Sequence, residues 1–324
     1  MTQKKKRKNS SLLLLEYAKE RIELKKKLNK VSTAELYQVS TGHFLRFTGN
    51  VDFRMEDLNR TLVADFMAYL QCKGLATNTI NSYLSSLRAI YNAACYDQLI
   101  WPEYHPFQGL KLKREPTVKR AVSVTFIQKL AGFNTSGCPR QELAVDLCLF
   151  SFLACGMPFI DMAYLTASNI RNDELIYNRR KTGSQIRMEI TTGMWQIIHK
   201  YAPQDGDRKY LFPILPVDSP THSQYKHRLA LHNKDLREIG NELCIPIHFT
   251  SYVIRHSWAS AAFQSGASIT IIGRGLGHSS EKTTRYYLAE LDVSELTHTN
   301  RKVSGSIDNL LKKDAEREVP LFKK

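Results

Sequence analysis

The sequence predicts a mainly α-helical protein with a small β-sheet, laid out as two units joined by a basic linker. Three observations carry that prediction. Apolar residues recur at helical spacing through most of the first 110 positions, as in Leu62, Val63, Phe66, Met67 and Leu70. Trp101-Pro102 to Pro106-Phe107, followed by KLKREPTVKR at 111–120, then interrupts the pattern, with Pro116 barring a helix. Finally, ELIYNRRKTGSQIRMEIT at 174–191 reads as two short strands about Thr182-Gly183. A length of 324 residues with 43% hydrophobic content suits two cores of ordinary size.

Residues 1–10 form a basic, polar tail with no core-forming pattern. The first unit spans 11–110. Leu12 to Leu28 reads as a charged amphipathic helix, and Thr33 as the cap of a helix over Ala34–Phe47. Helices over Leu58–Gln71 and Thr77–Tyr96 follow, separated by Gly74, a residue suited to ending a helix. The last of these four helices carries Asn78, Asn81, Ser82, Ser85 and Arg88 on a polar face that suits either solvent or a nucleic acid duplex. The linker covers 111–121, and the second unit covers 122–300. Within it, helices are expected over Thr125–Gly132, Glu142–Cys155, Ile160–Leu165, Trp195–Tyr201 and Gln224–Leu243, with loops over Asp205–Arg208 and Pro213–Pro220. The run Glu142–Cys155 is almost wholly apolar and is expected to be buried. In the tail 301–324, Ile307, Leu310 and Leu311 make one apolar stripe, too short to hold a helix without docking on something.

Charge narrows the function. Lys and Arg number 46 against 31 Asp and Glu, a formal net charge of +15, which favours a polyanionic partner. No run approaches the roughly 20 apolar residues that span a bilayer, so no membrane association is expected. Leu12 to Leu15 after the basic start is too short for a secretory signal. The six cysteines show no metal or disulfide spacing, which suggests reduced thiols and a cytoplasmic protein.

The stretch from His248 to Tyr287 holds the densest chemistry. Arg255 offers a planar fork that can grip two phosphate oxygens. His278 follows a Leu-Gly turn, and Tyr287 follows nine residues later in Thr-Thr-Arg-Tyr-Tyr. Lys181 at the hairpin turn is a flexible ammonium able to reach a base edge or to protonate a leaving hydroxyl. There is no H-E-x-x-H, no acidic metal cluster and no P-loop, so neither a metal nor a cofactor is expected.

The order and spacing of these residues resemble the tyrosine recombinases of the phage-integrase family, over roughly residues 11–300. The carrying motifs are Y-V-I-R-H at 252–256, L-G-H-S-S at 276–280, T-T-R-Y-Y at 283–287 and R-R-K-T-G at 179–183. The resemblance implies an N-terminal helical core-binding (SAM-like) domain and a mixed α/β catalytic domain, together a C-shaped clamp on DNA. It makes Tyr287 the nucleophile, Arg255 the second catalytic arginine, His278 the histidine position, Lys181 the hairpin lysine, and Tyr286 a core residue. It further implies a 3′-phosphotyrosine intermediate and a tetramer on two specific double-stranded sites, with tail 301–324 docked on a neighbouring subunit. DNA-bending accessory proteins are further candidate partners.

Two positions depart from the family's pattern. The first box reads C-G-M-P-F-I-D-M at 155–162, with Pro158 where an arginine is expected, and Tyr252 replaces a histidine. Loss of one charged donor from an anion-stabilising site costs about 2.7–4 kcal/mol of transition-state stabilisation. Tyr252 can still donate one O–H to a phosphate oxygen. Arg179 is the first candidate to replace the missing arginine, since a regular strand would set it on the same face as Lys181; Arg180, Arg187 and Arg274 are the others. A mobile-element subgroup of the family carries the same G-M-P in this box. The competing readings are a relaxing topoisomerase that uses the same nucleophile, and a catalytically impaired excision or regulatory factor.

Overall fold

A computed structural model describes residues 11–115, 121–135, 137–203, 208–216, 218–288 and 304. The expected tails at 1–10 and 301–324, most of the loop 205–208 and the second half of the linker therefore lie outside the described residues, Ser304 excepted. The chain divides into two compact units, 1–117 and 118–324.

The first unit has four helices, α1 (Leu14–Lys27), α2 (Val31–Thr48), α3 (Arg60–Cys72) and α4 (Thr77–Tyr96), with a 3-10 turn at Met55–Asp57. The apolar stripes converge on Phe44, Phe66, Leu84, Leu87 and Ile90, all fully buried. Phe44 meets Phe53 and Phe66 edge to face, at 5.0 and 5.1 Å between ring centroids. Helix α2 begins two residues before the expected cap. Thr33 lies inside it, because the N–H groups of Thr33 and Ala34 already bond to Lys30 O. Helix α3 begins two residues later than expected, at Arg60, after the cap Asn59, whose side chain accepts from Leu62 N at 2.9 Å.

The second unit is built from α5 (Val124–Ala131), α6 (Pro139–Leu153), α7 (Phe159–Ala163), α8 (Thr192–Tyr201), α9 (His222–Glu242), α10 (Ser251–Gln264), α11 (Ile269–Leu276) and α12 (Glu281–Leu288). Ser123 and Thr191 cap α5 and α8, and a Thr221–Gln224 capping box opens α9. The sheet has three antiparallel strands in the order β1 (Ile170–Arg171), β2 (Glu174–Asn178) and β3 (Gln185–Glu189). The hairpin is the expected one, whereas the two-residue β1 is too short to leave a pattern in the sequence. Helix α6 is buried along one side only. Leu153 at its end is 40% exposed, so this apolar run is less enclosed than its composition suggests.

Candidate active site

The chemistry gathers where the β2–β3 turn meets the ends of α7, α10 and α11. Arg255, in the second turn of α10, is 3% exposed and donates through Nη1 to Gly156 O at 2.8 Å and through Nη2 to Leu276 O at 2.5 Å. Arg179 donates through Nη1 to that same carbonyl. Its Nε lies 2.7 Å from Asp161 Oδ2, and the other carboxylate oxygen accepts from Arg180 N at 2.9 Å. Two buried guanidiniums thus converge on one carbonyl, facing one buried carboxylate. Among the described residues the cluster carries surplus positive charge, and an anion relieves it.

Arg179, just past the end of β2, continues the inward alternation of Leu175 and Tyr177, with its N–H bonded to Ser184 O at 2.8 Å. The expectation that Lys181 shares its face is overturned. After Arg179 the chain turns, with Gly183 N bonded to Arg179 O at 2.7 Å, so Arg179 is buried while Lys181 stays exposed. The other candidate arginines stand differently. Arg180 lies 3.7 Å over the Tyr164 ring, Arg187 pairs with Glu174 Oε2 at 2.6 Å, and Arg274 is exposed on α11.

His278 is half-buried beside this cluster, with Nε2 3.4 Å from Arg255 Nη2 and Nδ1 3.0 Å from Thr284 Oγ1. Burial, followed by the charges of Arg255, Arg179 and Lys181, lowers its pKa from the ordinary value to about 4, so the ring is neutral at neutral pH. Burial also pushes the Asp161 carboxyl up, while Arg180 N–H, Arg179 and Arg255 pull it back. Gly277, at φ +63°, makes the tight approach possible: a Cβ there would sit 2.9 Å from Arg179 Cγ.

Tyr252 is 55% exposed, one turn before Arg255, with its ring edge-to-face on His256 at 4.7 Å. It shares with Pro158, Tyr225, Asn233 and Arg255 an open cleft of about 280 Å³. Tyr286 and Tyr287 belong to α12, and their side chains lie outside the described residues. The structure therefore brings together Arg255, Arg179 and His278, sets Lys181 on the adjoining turn, and places Tyr252 on the cleft. Asp161 and Thr284 were missed by sequence reasoning. The signal for Asp161 was an acidic residue among the apolar neighbours of Phe159–Ala163; Thr284 gave none beyond its place in T-T-R-Y-Y.

Residues 13–112 match the phage integrase SAM-like domain, and residues 138–294 match the phage integrase family. The chain belongs to the tyrosine recombinases of the phage integrase family. It is a site-specific recombinase, an enzyme that transfers DNA strands. The recombinase is 24% identical to tyrosine recombinase XerD of Pseudomonas aeruginosa over 267 residues, 79% of this chain and 86% of that one. It is 24% identical to the integrase of Escherichia phage P2 over 232 residues, 71% of this chain and 60% of that protein. Its fold is similar to that of the Tn1549 transposon integrase in complex with transposon right end DNA, with a TM-score of 0.65 at 14% identity, covering 90% of this chain and all of that one. A lambda integrase dimer bound to a core site is also similar, with a TM-score of 0.64 at 12% identity over 85% of this chain and 95% of that one.

The mainly helical fold with a small sheet, and the pairing of a SAM-like domain with an integrase domain, are as expected from the sequence. No helix among the described residues is long and apolar enough to cross a membrane. The polar face of α4 is partly occupied by the linker. Asn78 bonds both backbone groups of Glu115, at 2.9 and 3.2 Å, and Asn81 donates to Lys113 O at 2.9 Å. Arg88 lies over the Phe107 ring at 5.7 Å.

Proposed function

We propose that the recombinase exchanges strands between two specific double-stranded DNA sites through a 3′-phosphotyrosyl intermediate, with Arg179 replacing the arginine absent at position 158. The Tyr287 hydroxyl gives up its proton to water as its oxygen attacks the phosphorus, the bond to the 5′ oxygen breaks, and Lys181 supplies the proton that leaves with the 5′-hydroxyl. The phosphodiester energy is kept in the new ester, and a partner strand's 5′-hydroxyl reseals it. Arg255, Arg179, His278 and Tyr252 hold the charge that develops on the phosphorane oxygens.

The observation that carries this reading is the meeting of Arg179 and Arg255 on Leu276 O, with His278 beside them. A guanidinium fixed beforehand costs no reorganisation when charge develops. Pro158 has no polar side chain to donate, and Asp161, three residues on, instead anchors the substitute. The presence of G-M-P in this box supports a mobile-element origin. Tetramer assembly on two sites, with tail 301–324 docked on a neighbour, belongs to the same proposal, as do accessory DNA-bending proteins.

A suicide duplex carrying a nick near the cleavage point tests it. Wild type is expected to form a covalent adduct, and Tyr287→Phe none. Arg179→Ala is expected to lower the adduct rate by roughly 100-fold or more, the scale of one lost oxyanion donor. An adduct rate unchanged in Arg179→Ala would sink the substitution while sparing the nucleophile. Plasmid relaxation without exchange between two labelled duplexes would identify a topoisomerase instead.

A further inference from the structure

Helix α12 carries a buried polar residue one turn before Tyr287. Thr284 is 0% exposed, and its Oγ1 lies 3.0 Å from His278 Nδ1. The packing leaves it little freedom, since a Cβ at Gly273 of α11 would sit 2.8 Å from that oxygen. The same Gly273 accepts, through its carbonyl, the His278 backbone N–H at 2.9 Å. Ring and hydroxyl are therefore both registered against one residue of α11.

The other side of the ring fixes the tautomer. His278 Nε2 faces Arg255 Nη2 at 3.4 Å, and a guanidinium only donates. Nε2 thus presents its lone pair, Nδ1 carries the proton, and Thr284 Oγ1 accepts it. Charge stabilisation on a phosphate requires the reverse, with Nε2–H donating to a phosphate oxygen. A neutral ring can do this only when Nδ1 becomes an acceptor, so its partner must turn from acceptor to donor. A backbone carbonyl or a carboxylate cannot make that change, whereas a hydroxyl makes it by rotating about one bond.

We infer that Thr284 is the positioning residue that lets His278 switch tautomer. Its hydroxyl accepts from Nδ1–H while Nε2 faces Arg255, and donates to Nδ1 once Nε2–H faces phosphate. One proton passes from Nδ1 to water and one from water to Nε2, so the ring is neutral before and after the switch. Because Thr284 and Tyr287 share α12, the same contact ties the nucleophile's helix to the histidine. The inference rests on the proposed role of His278.

The test uses the full chain and the nicked suicide duplex, with Thr284→Val, Thr284→Ser, His278→Ala and the Val–Ala double variant. Valine keeps the shape and removes the hydroxyl, and is expected to slow adduct formation roughly fivefold, the scale of one net hydrogen bond. Serine is expected to restore most of the rate, and valine to add nothing in the His278→Ala background. A wild-type rate in Thr284→Val, serine as slow as valine at an unchanged thermal midpoint, or a further loss in the double variant would each overturn the inference. Failure of wild type to form any adduct, or adduct formation by Tyr287→Phe, would instead remove the reading on which it rests.

Discussion

The two units bury different things. In the first, the buried polar residues among those described are Ser40, Thr41 and Ser86, all neutral hydroxyls, around an aromatic core. In the second, Asp161, Arg179, His232, Asp235 and Arg255 are also buried. A core of the first kind is stabilised by area removed from water, and each side chain contributes through its own fit. A core of the second kind also carries desolvated charge, which holds only while every partner is present. The first unit is thus a scaffold that tolerates change in proportion to volume. The second keeps a buried charged cluster and is sensitive to the loss of any one partner.

The largest expected effect tests the charged side. Asp161→Ala leaves Arg179 buried without its carboxylate and is expected to cost about 3–5 kcal/mol. Urea denaturation measures this, and a loss below about 1 kcal/mol would mean that the pair is not held as described. On the apolar side, Phe66→Ala removes a fully buried ring and is expected to cost about 3–5 kcal/mol, while leaving the guanidinium cluster untouched. The contrast between the units predicts that conservative swaps diverge. Phe66→Leu should recover much of the loss, whereas Asp161→Asn, of nearly equal volume, should recover little, because it restores shape without charge.

A third expectation concerns pH. His232 is fully buried, stacked on Phe159 at 4.5 Å, and burial lowers its pKa to about 3. With the folded value below the ordinary one, the unfolded chain binds the proton first, so stability is lost as pH falls below about 6.5 and continues to fall towards 3. From pH 7.5 to pH 5 the His232 contribution to this loss is about 2 kcal/mol, added to that of His278, whose pKa is also lowered. His232→Phe should reduce the slope of that part of the profile, and an equal slope in wild type and variant would contradict it. The smallest effect belongs to Asn59→Ala, which removes the α3 cap and should cost about 1 kcal/mol in thermal or urea unfolding.

This contrast also explains what could be read from the sequence. Helices such as α4 are legible because Ile80, Leu84, Leu87 and Tyr91 repeat at the period of the backbone, and apolar burial needs nothing else. Arg255 and His278, which the structure sets side by side, are marked in the sequence by motif spacing. The separation of Lys181 from Arg179 is not, since it depends on the turn that follows Arg179, and the anchoring of Arg179 depends on a carboxylate eighteen positions upstream. Asp161 and Thr284 hold their partners through contacts between distant elements or across a turn, and local periodicity carries no trace of those. The start of α3 escapes the apolar pattern for a simpler reason: Leu58 continues the stripe, while the cap at Asn59 decides where the helix begins.

The anchoring of Arg179 has a mechanical consequence for its neighbour. Arg179 is fastened to Asp161 and Leu276 O, and Lys181 stands two residues further along the same turn. Two residues of extended chain span about 7 Å. Under the proposed assignment, the leaving-group acid works on a short leash whose fixed end is one of the two cations that grip the phosphate. A displacement of the turn would move the acid and strain the grip together, so cutting competence would be gained or lost as a single event.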